Sequence, residues 1–200
     1  MTTQGAKRLV SIPLLAGGAV LLVLGARELI EPLIGQAAAA RTFNRAAAAP
    51  PSVQPQPLRR GDEVGKLVFP RLGAAFYVVE GDQDDELRRG PGHLRGSAMP
   101  GESGNCIIAG HRDTHFRVLQ DIRQGDDLLV ETKSGQYLYR VQRTRVVSAD
   151  NTGPLQPTTR AELNLITCFP FSYVGSAPKR FVVEALLAAK VSASAKPVVE

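Results

Sequence analysis

The chain contains no tryptophan, and its seven phenylalanines and four tyrosines do not alternate with basic residues as a base-stacking surface requires. Lysine and arginine outnumber aspartate and glutamate, 24 to 19, but they are scattered, and no basic run marks a face for nucleic acid. Nucleic acid is not an expected partner. Cysteine occurs twice, at positions 106 and 168, too sparsely for a structural zinc site, whose ligands come in closely spaced pairs. No metal or other cofactor is expected. The acidic group Asp82, Asp84, Asp85 and Glu86 reads as the start of a short helix rather than as a calcium loop. An internal repeat and a long amphipathic helix are also missing, which argues against solenoids and helical bundles.

What is present divides by composition. Residues 9–26, LVSIPLLAGGAVLLVLGA, carry no charge and nearly reach the ~20 residues that cross a bilayer core, so they read as a membrane span. Pro13 and the Gly17-Gly18 pair suit a span better than a soluble helix. A cleaved signal peptide is the competing reading, with the alanines at 37–40 and 46–49 as cleavage sites, although its apolar part usually runs only ~7–15 residues. Either reading exports the rest of the chain. Lys7 and Arg8 before the span are balanced by Arg27, Arg41 and Arg45 after it; Glu28 and Glu31 tip the orientation toward an N-terminus inside. The expectation is a single-pass protein of the inner, cytoplasmic membrane, with its main domain on the periplasmic or extracellular side. Residues 1–34 then form the anchor and its flanks, and 35–61, with PPSVQPQP at 50–57, an extended Ala/Pro/Gln-rich linker. Residues 62–190 form the main domain and 191–200 a tail.

Short β-type runs occupy the main domain at 66–69, 74–80, 106–109, 128–132, 137–147, 163–167 and 181–188, separated by turn residues such as Gly81-Asp82, Pro91-Gly92 and Ser134-Gly135. They predict a mostly β fold, a barrel or sandwich, with one or two helical turns at 84–89 and 116–121.

Three segments concentrate reactive side chains. In LNLITCFPF, residues 163–171, an apolar strand ends at Thr167-Cys168 and is broken by Phe169-Pro170. A strand end gives a thiol the partial exposure that reactivity needs, yet a buried structural cysteine fits the same residues. In CIIAGHRDTHF, residues 106–116, a second strand ends at Gly110 and presents His111, followed by Arg112, Asp113 and His115. A cysteine and a histidine at two strand ends form the pairing that thiol chemistry uses. In PKRFVVEAL, residues 178–186, Arg180 stands at the mouth of the last strand, either beside Cys168 as an oxyanion donor or as an ordinary surface arginine. Strand parity puts Cys106, Ile108 and Gly110 on one face and Ile107, Ala109 and His111 on the other, so Cys106 points away from His111 into the core.

Together these segments resemble the sortases over residues 62–188. The wording GPGHL at 90–94, AGHRDTHF at 109–116 and ITCFPF at 166–171 is similar to sortases of Gram-negative bacteria, with kinship to classes C and D. The resemblance implies a closed barrel of eight strands, of which the pattern shows seven. It implies Cys168 as nucleophile, His111 as acid/base partner and Arg180 as the residue that positions substrate and stabilises the oxyanion. Thr167 beside the thiol, His93 near the site and Asp113, a candidate to orient or tune His111, are supporting residues. The implied reaction cleaves a C-terminal sorting signal of an exported protein through a thioacyl-enzyme and transfers it to an amine-bearing acceptor of the envelope, with hydrolysis as side reaction. The contrasting expectation is a membrane-tethered β-domain without enzymatic activity that binds an envelope component. Peptidoglycan L,D-transpeptidases share the nucleophile, but their Gly-Cys setting is absent where this chain has Thr167-Cys168.

Overall fold

A computed structural model of the protein describes residues 3–48, 57–173 and 175–191. After the helix α1 (Thr3–Ala48) come β1 (Glu63–Phe69), β2 (Ala74–Glu80), the short helix α2 (Asp84–Arg89), β3 (Gly92–His93), β4 (Gly104–Gly110), β5 (Asp127–Thr132), β6 (Gly135–Ser148), β7 (Ala161–Phe169) and β8 (Lys179–Val191). The strands close into a barrel in the order β1-β2-β3-β4-β7-β8-β6-β5, with β5 pairing back onto β1. A 3-10 segment, His115–Asp121, packs Phe116 and Leu119 into one end.

Alternation builds this wall. Leu163 and Leu165 of β7, Leu128 and Val130 of β5, and Leu67 and Phe69 of β1 share the core with Phe116 and Tyr139. Each such side chain, taken from water, contributes ~1.5–3 kcal/mol. All seven strands expected from the pattern form; β2 coincides with its expected run and the other six extend theirs by one to five residues. The eighth is β3, a two-residue strand parallel to β2 and antiparallel to β4. Two residues cannot display a period of two, which is why no sequence pattern reports it.

The N-terminal region differs from expectation. Residues 35–48 are not extended but continue α1. The alanines there have the highest helix propensity of any residue, and the helix is docked as well as intrinsically favoured. The Gln36 amide accepts from Tyr77 N at 2.7 Å and donates to Tyr77 O at 3.0 Å and Arg89 O at 2.9 Å, and the Phe43 ring lies 5.7 Å from the Tyr77 ring. Gln36 thereby acts as one extra rung on β2. Gly35 permits this approach, because a Cβ at that position would lie 2.7 Å from Arg89 Cα. Among the described residues no helix is long and apolar enough to cross a membrane. The side chains of 9–16, in the expected span, lie outside the described residues, as do 49–56 of the expected linker and 192–200 of the tail.

Candidate active site

β7 lies between β4, which runs parallel to it, and β8, which runs antiparallel. Its core-facing residues are Leu163, Leu165 and the buried Thr167, so Ile166 and Cys168 face outward. Cys168 is half-buried, and its direct cross-strand partner on β8 is Arg180. Directly paired residues present their side chains on the same face of a sheet, with Cα atoms ~4.5–5.5 Å apart. On the other side Thr167 pairs with Gly110, so His111, the next residue along, stands level with Cys168. Cysteine and arginine are thus paired across β7 and β8, and the histidine follows directly after β4, one residue beyond its last pair with β7, to complete a row at this end of the barrel. One row below, Ala109 and Ile166 are half-buried apolar neighbours, and Val182 beside them is fully buried.

Local contacts fix the row. Thr167 donates its hydroxyl to Gly110 O at 2.6 Å, tying the residue before Cys168 to the residue before His111. Gly110 has no room for a side chain, since a Cβ there would meet the Phe116 ring at 2.7 Å, and Phe116 N donates to His111 O at 3.0 Å. The Arg180 guanidinium donates from Nη1 to Ala177 O at 3.1 Å and to Lys179 O at 3.0 Å. Both Nη1 protons are therefore committed to backbone, while Nε and Nη2 have no acceptor among the described residues. Arg112 donates from Nη2 to Tyr173 O at 2.6 Å and Gly175 O at 2.9 Å, which fastens the β7–β8 loop to the turn after His111. Phe169, Phe171 and Phe181 pack ring on ring at 5.3–6.2 Å under that loop, and the Phe169–Pro170 peptide bond is cis.

The remaining candidates fall elsewhere. Asp113 is exposed in the turn, and the carboxylate that faces His111 belongs to Asp84 of α2, whose Oδ1 lies 3.8 Å from His111 Nε2. His93 is buried inside the barrel. Its Nδ1 lies 2.7 Å from Glu80 Oε2, and its Nε2 lies 3.0 Å from both Ala98 O and Ser97 Oγ. These contacts hold the ring inside the barrel, where it braces the loop after β3. His115 is buried edge-on to Phe76, and burial first, then nearby His111, pushes its pKa down to about 4. It is neutral at pH 7 and cannot serve as an exposed base. In an NMR titration its ring protons should shift near pH 4; a midpoint at the ordinary 6.5 would contradict the burial. Because the folded state resists the proton, His115 should erode stability as pH falls from about 6.5 toward 4, the loss ending below that. Cys106 is a free thiol in the core, and burial pushes it well above the ordinary thiol range. Among the described residues no cluster of three or more His, Cys, Asp or Glu could hold a metal ion.

The family described as Sortase domain matches residues 67–188, more than half of the chain and every residue of the row. The chain belongs to the sortase family. It is 39% identical over 124 residues to Sortase D of Bacillus subtilis (strain 168), a match covering 62% of this chain and 63% of that protein, so the chain spans under two thirds of that relative's length. In fold it is similar to the Clostridium perfringens Sortase D5 transpeptidase, with a TM-score of 0.70 at 24% identity over 78% of this chain and 99% of the other. It is also similar to a Clostridium perfringens sortase C solved with the C-terminal cell wall sorting motif, with a TM-score of 0.61 at 19% identity over 76% of this chain and 88% of that one.

Two residues at this sortase's site carried no separate sequence signal. Asp84 is indistinguishable in the run Asp84-Asp85-Glu86 from carboxylates that merely begin a helix, and Arg112 reads as one of several polar residues after His111. Only the fold brings α2 to His111 and the β7–β8 loop to Arg112. The Thr167 hydroxyl also has a measurable part. Replacing Thr167 with valine, equal in shape but without the donor, should cost about 1–2 kcal/mol in denaturant unfolding. It should also lower turnover although Cys168 is untouched, because the Gly110-His111 segment loses its anchor. Unchanged turnover at reduced stability would show that the bond serves the barrel alone.

Proposed function

We propose that this sortase is a cysteine transpeptidase of the cell envelope, tethered by its N-terminal helix, that cleaves a sorting signal in an exported protein and passes the acyl group to an amine. The observation that carries the reading is the direct pairing of Cys168 with Arg180 across β7 and β8, with His111 one residue beyond the Gly110–Thr167 pair.

In this reading the Cys168 thiolate attacks the carbonyl carbon of the scissile peptide bond. Negative charge moves to the carbonyl oxygen, where Nε and Nη2 of Arg180 donate to it; such charge-directed donors act most strongly in a site that excludes water. The intermediate collapses by breaking the C–N bond, and His111 delivers a proton to the departing amine. The product is a thioester on Cys168. An acceptor amine then attacks the thioester, His111 takes its proton, and the thiolate leaves. Water in place of the amine gives hydrolysis. The half-buried Ala109 and Ile166 suit the side chains of an extended peptide, and the loop clamped by Arg112 forms one wall. The sortase C solved with its sorting motif supports a C-terminal signal as substrate. Tethering is supported by the uncharged stretch 9–26 and by the exposed apolar side chains Val20 to Leu24 on α1.

The test is intact-mass analysis of the full chain in detergent, incubated with a library of peptides and a small amine such as triglycine. An acyl adduct mapping to Cys168, followed by an amine-coupled peptide, is the expected result. Peptides left whole, with no adduct on either cysteine, would overturn the reading.

A further inference from the structure

On the opposite side of the barrel wall from this row, α1 crosses β1 and β2 and leaves a cavity of about 1040 Å³. Its floor is the outward pair Glu63 and Val79. One wall is apolar, with Val23, Ile30 and Ile34 of α1, and the rim is mixed in charge: Arg27, Arg89 and Lys133 stand with Glu31 and Asp62, and Arg27 Nε lies 3.7 Å from Glu31 Oε2. Glu63 is only 7% exposed, and neither of its carboxylate oxygens has a hydrogen-bond partner among the described residues. A carboxylate in that setting is costly unless a donor reaches it. Burial lifts its pKa to about 7, and Lys133 opposes the lift by charge alone. The cavity therefore combines an acceptor without a donor at depth, charges of both signs at the mouth, of which Arg89 and Lys133 make no ion pair among the described residues, and an apolar wall. That wall continues along α1 into the exposed residues Val20 to Leu24.

We propose that this cavity binds an aminophospholipid: the ammonium group on Glu63, the phosphate between Arg89 and Lys133, and an acyl chain along Val23, Ile30 and Ile34. A phosphate alone leaves Glu63 without a donor, and a simple amine leaves Arg89, Lys133 and the apolar wall without a partner. A zwitterionic headgroup with its positive end innermost satisfies all three surfaces, and the volume suits a headgroup with the first part of its chains. The site rests on α1 lying at a membrane surface, as proposed above, and gives that surface a chemical preference.

The test separates the two ideas. Binding of short-chain phosphatidylethanolamine, phosphatidylglycerol and phosphatidylcholine to the full chain in detergent is followed by native mass spectrometry and by the shift in melting temperature. The expected result is retention of phosphatidylethanolamine over the other two. Glu63→Gln should weaken that binding about ten- to a hundredfold, the usual worth of a hydrogen bond to a charged group, and Lys133→Glu should weaken all phosphate-bearing lipids together. Equal binding of the three lipids, or an ethanolamine preference that survives Glu63→Gln in a variant with the parent's melting temperature, overturns the site. Flotation of the full chain with vesicles reports separately on tethering: a chain that floats but shows no lipid preference refutes only the cavity's role.

Discussion

Replacing Cys168 with alanine should remove acyl transfer while leaving the barrel standing. The side chain is half-buried on the outer face and is not among the core residues that hold the strands, so its loss should change stability by no more than about 1 kcal/mol. No other group in the row can form a thioester. Loss of a covalent nucleophile lowers turnover by about 10⁴- to 10⁶-fold in enzymes whose catalytic groups act as a unit. The adduct in intact-mass spectra should vanish, with turnover reduced to background. The second cysteine supplies the control. Cys106 is fully buried and its thiol is pushed up by burial, so a maleimide should label the native parent once and the native Cys168→Ala variant not at all, with Cys106 reacting only after denaturation. An adduct that persists in the variant would move the chemistry away from Cys168.

Replacing Arg180 with alanine is expected to have the next largest effect, a fall in kcat of about 10²- to 10³-fold with little change in KM, as for loss of one oxyanion donor. The reasoning is geometric. Arg180 is the cross-strand partner of Cys168, and two backbone carbonyls in the β7–β8 turn immobilise one end of its guanidinium while the other donors stay uncommitted. Such a group contributes mainly when charge develops on the reacting oxygen, and a loss confined to kcat is the signature of that timing. Arg180→Lys should recover only part of the rate, because an ammonium cannot both hold the turn carbonyls and present a planar fork to the oxyanion. A lysine variant with parental kcat, or an alanine variant changed in KM alone, would make Arg180 a residue of substrate binding.

Much of this arrangement was legible before any coordinates. Alternation located seven of the eight strands, because a barrel wall buried on one face leaves a period of two in the sequence. The residues of the row were legible as strand ends, and the parity of β4 placed Cys106 in the core. What stayed hidden has physical causes. β3 is too short to carry a period. The helical run at 35–48 was masked by neighbouring proline and glutamine, although its alanines favour helix and Gln36 finds partners on Tyr77 that no local pattern announces. Asp113 sits two residues after His111 in sequence and drew attention for that reason, yet Asp84 faces the ring from a helix far along the chain. His93 lies in sequence among turn glycines, but the barrel turns it inward onto Glu80. Non-local pairing decides each of these cases.

The continuity of α1 bears on where substrates can be met. With residues 9–26 in a bilayer, a single unbroken rod runs from the last apolar turn to the contact of Gln36 with Tyr77, roughly 15 Å at 1.5 Å per residue. A coil of the same length is a leash on which a domain can wander and tumble; a rod seated by its own amide on a strand is a post. The barrel then keeps one altitude and one heading above the lipid, and the row on β4, β7 and β8 sweeps a thin layer parallel to the membrane. Exported chains still held at the bilayer by their own C-terminal ends would pass through that layer, whereas those already released would diffuse above it.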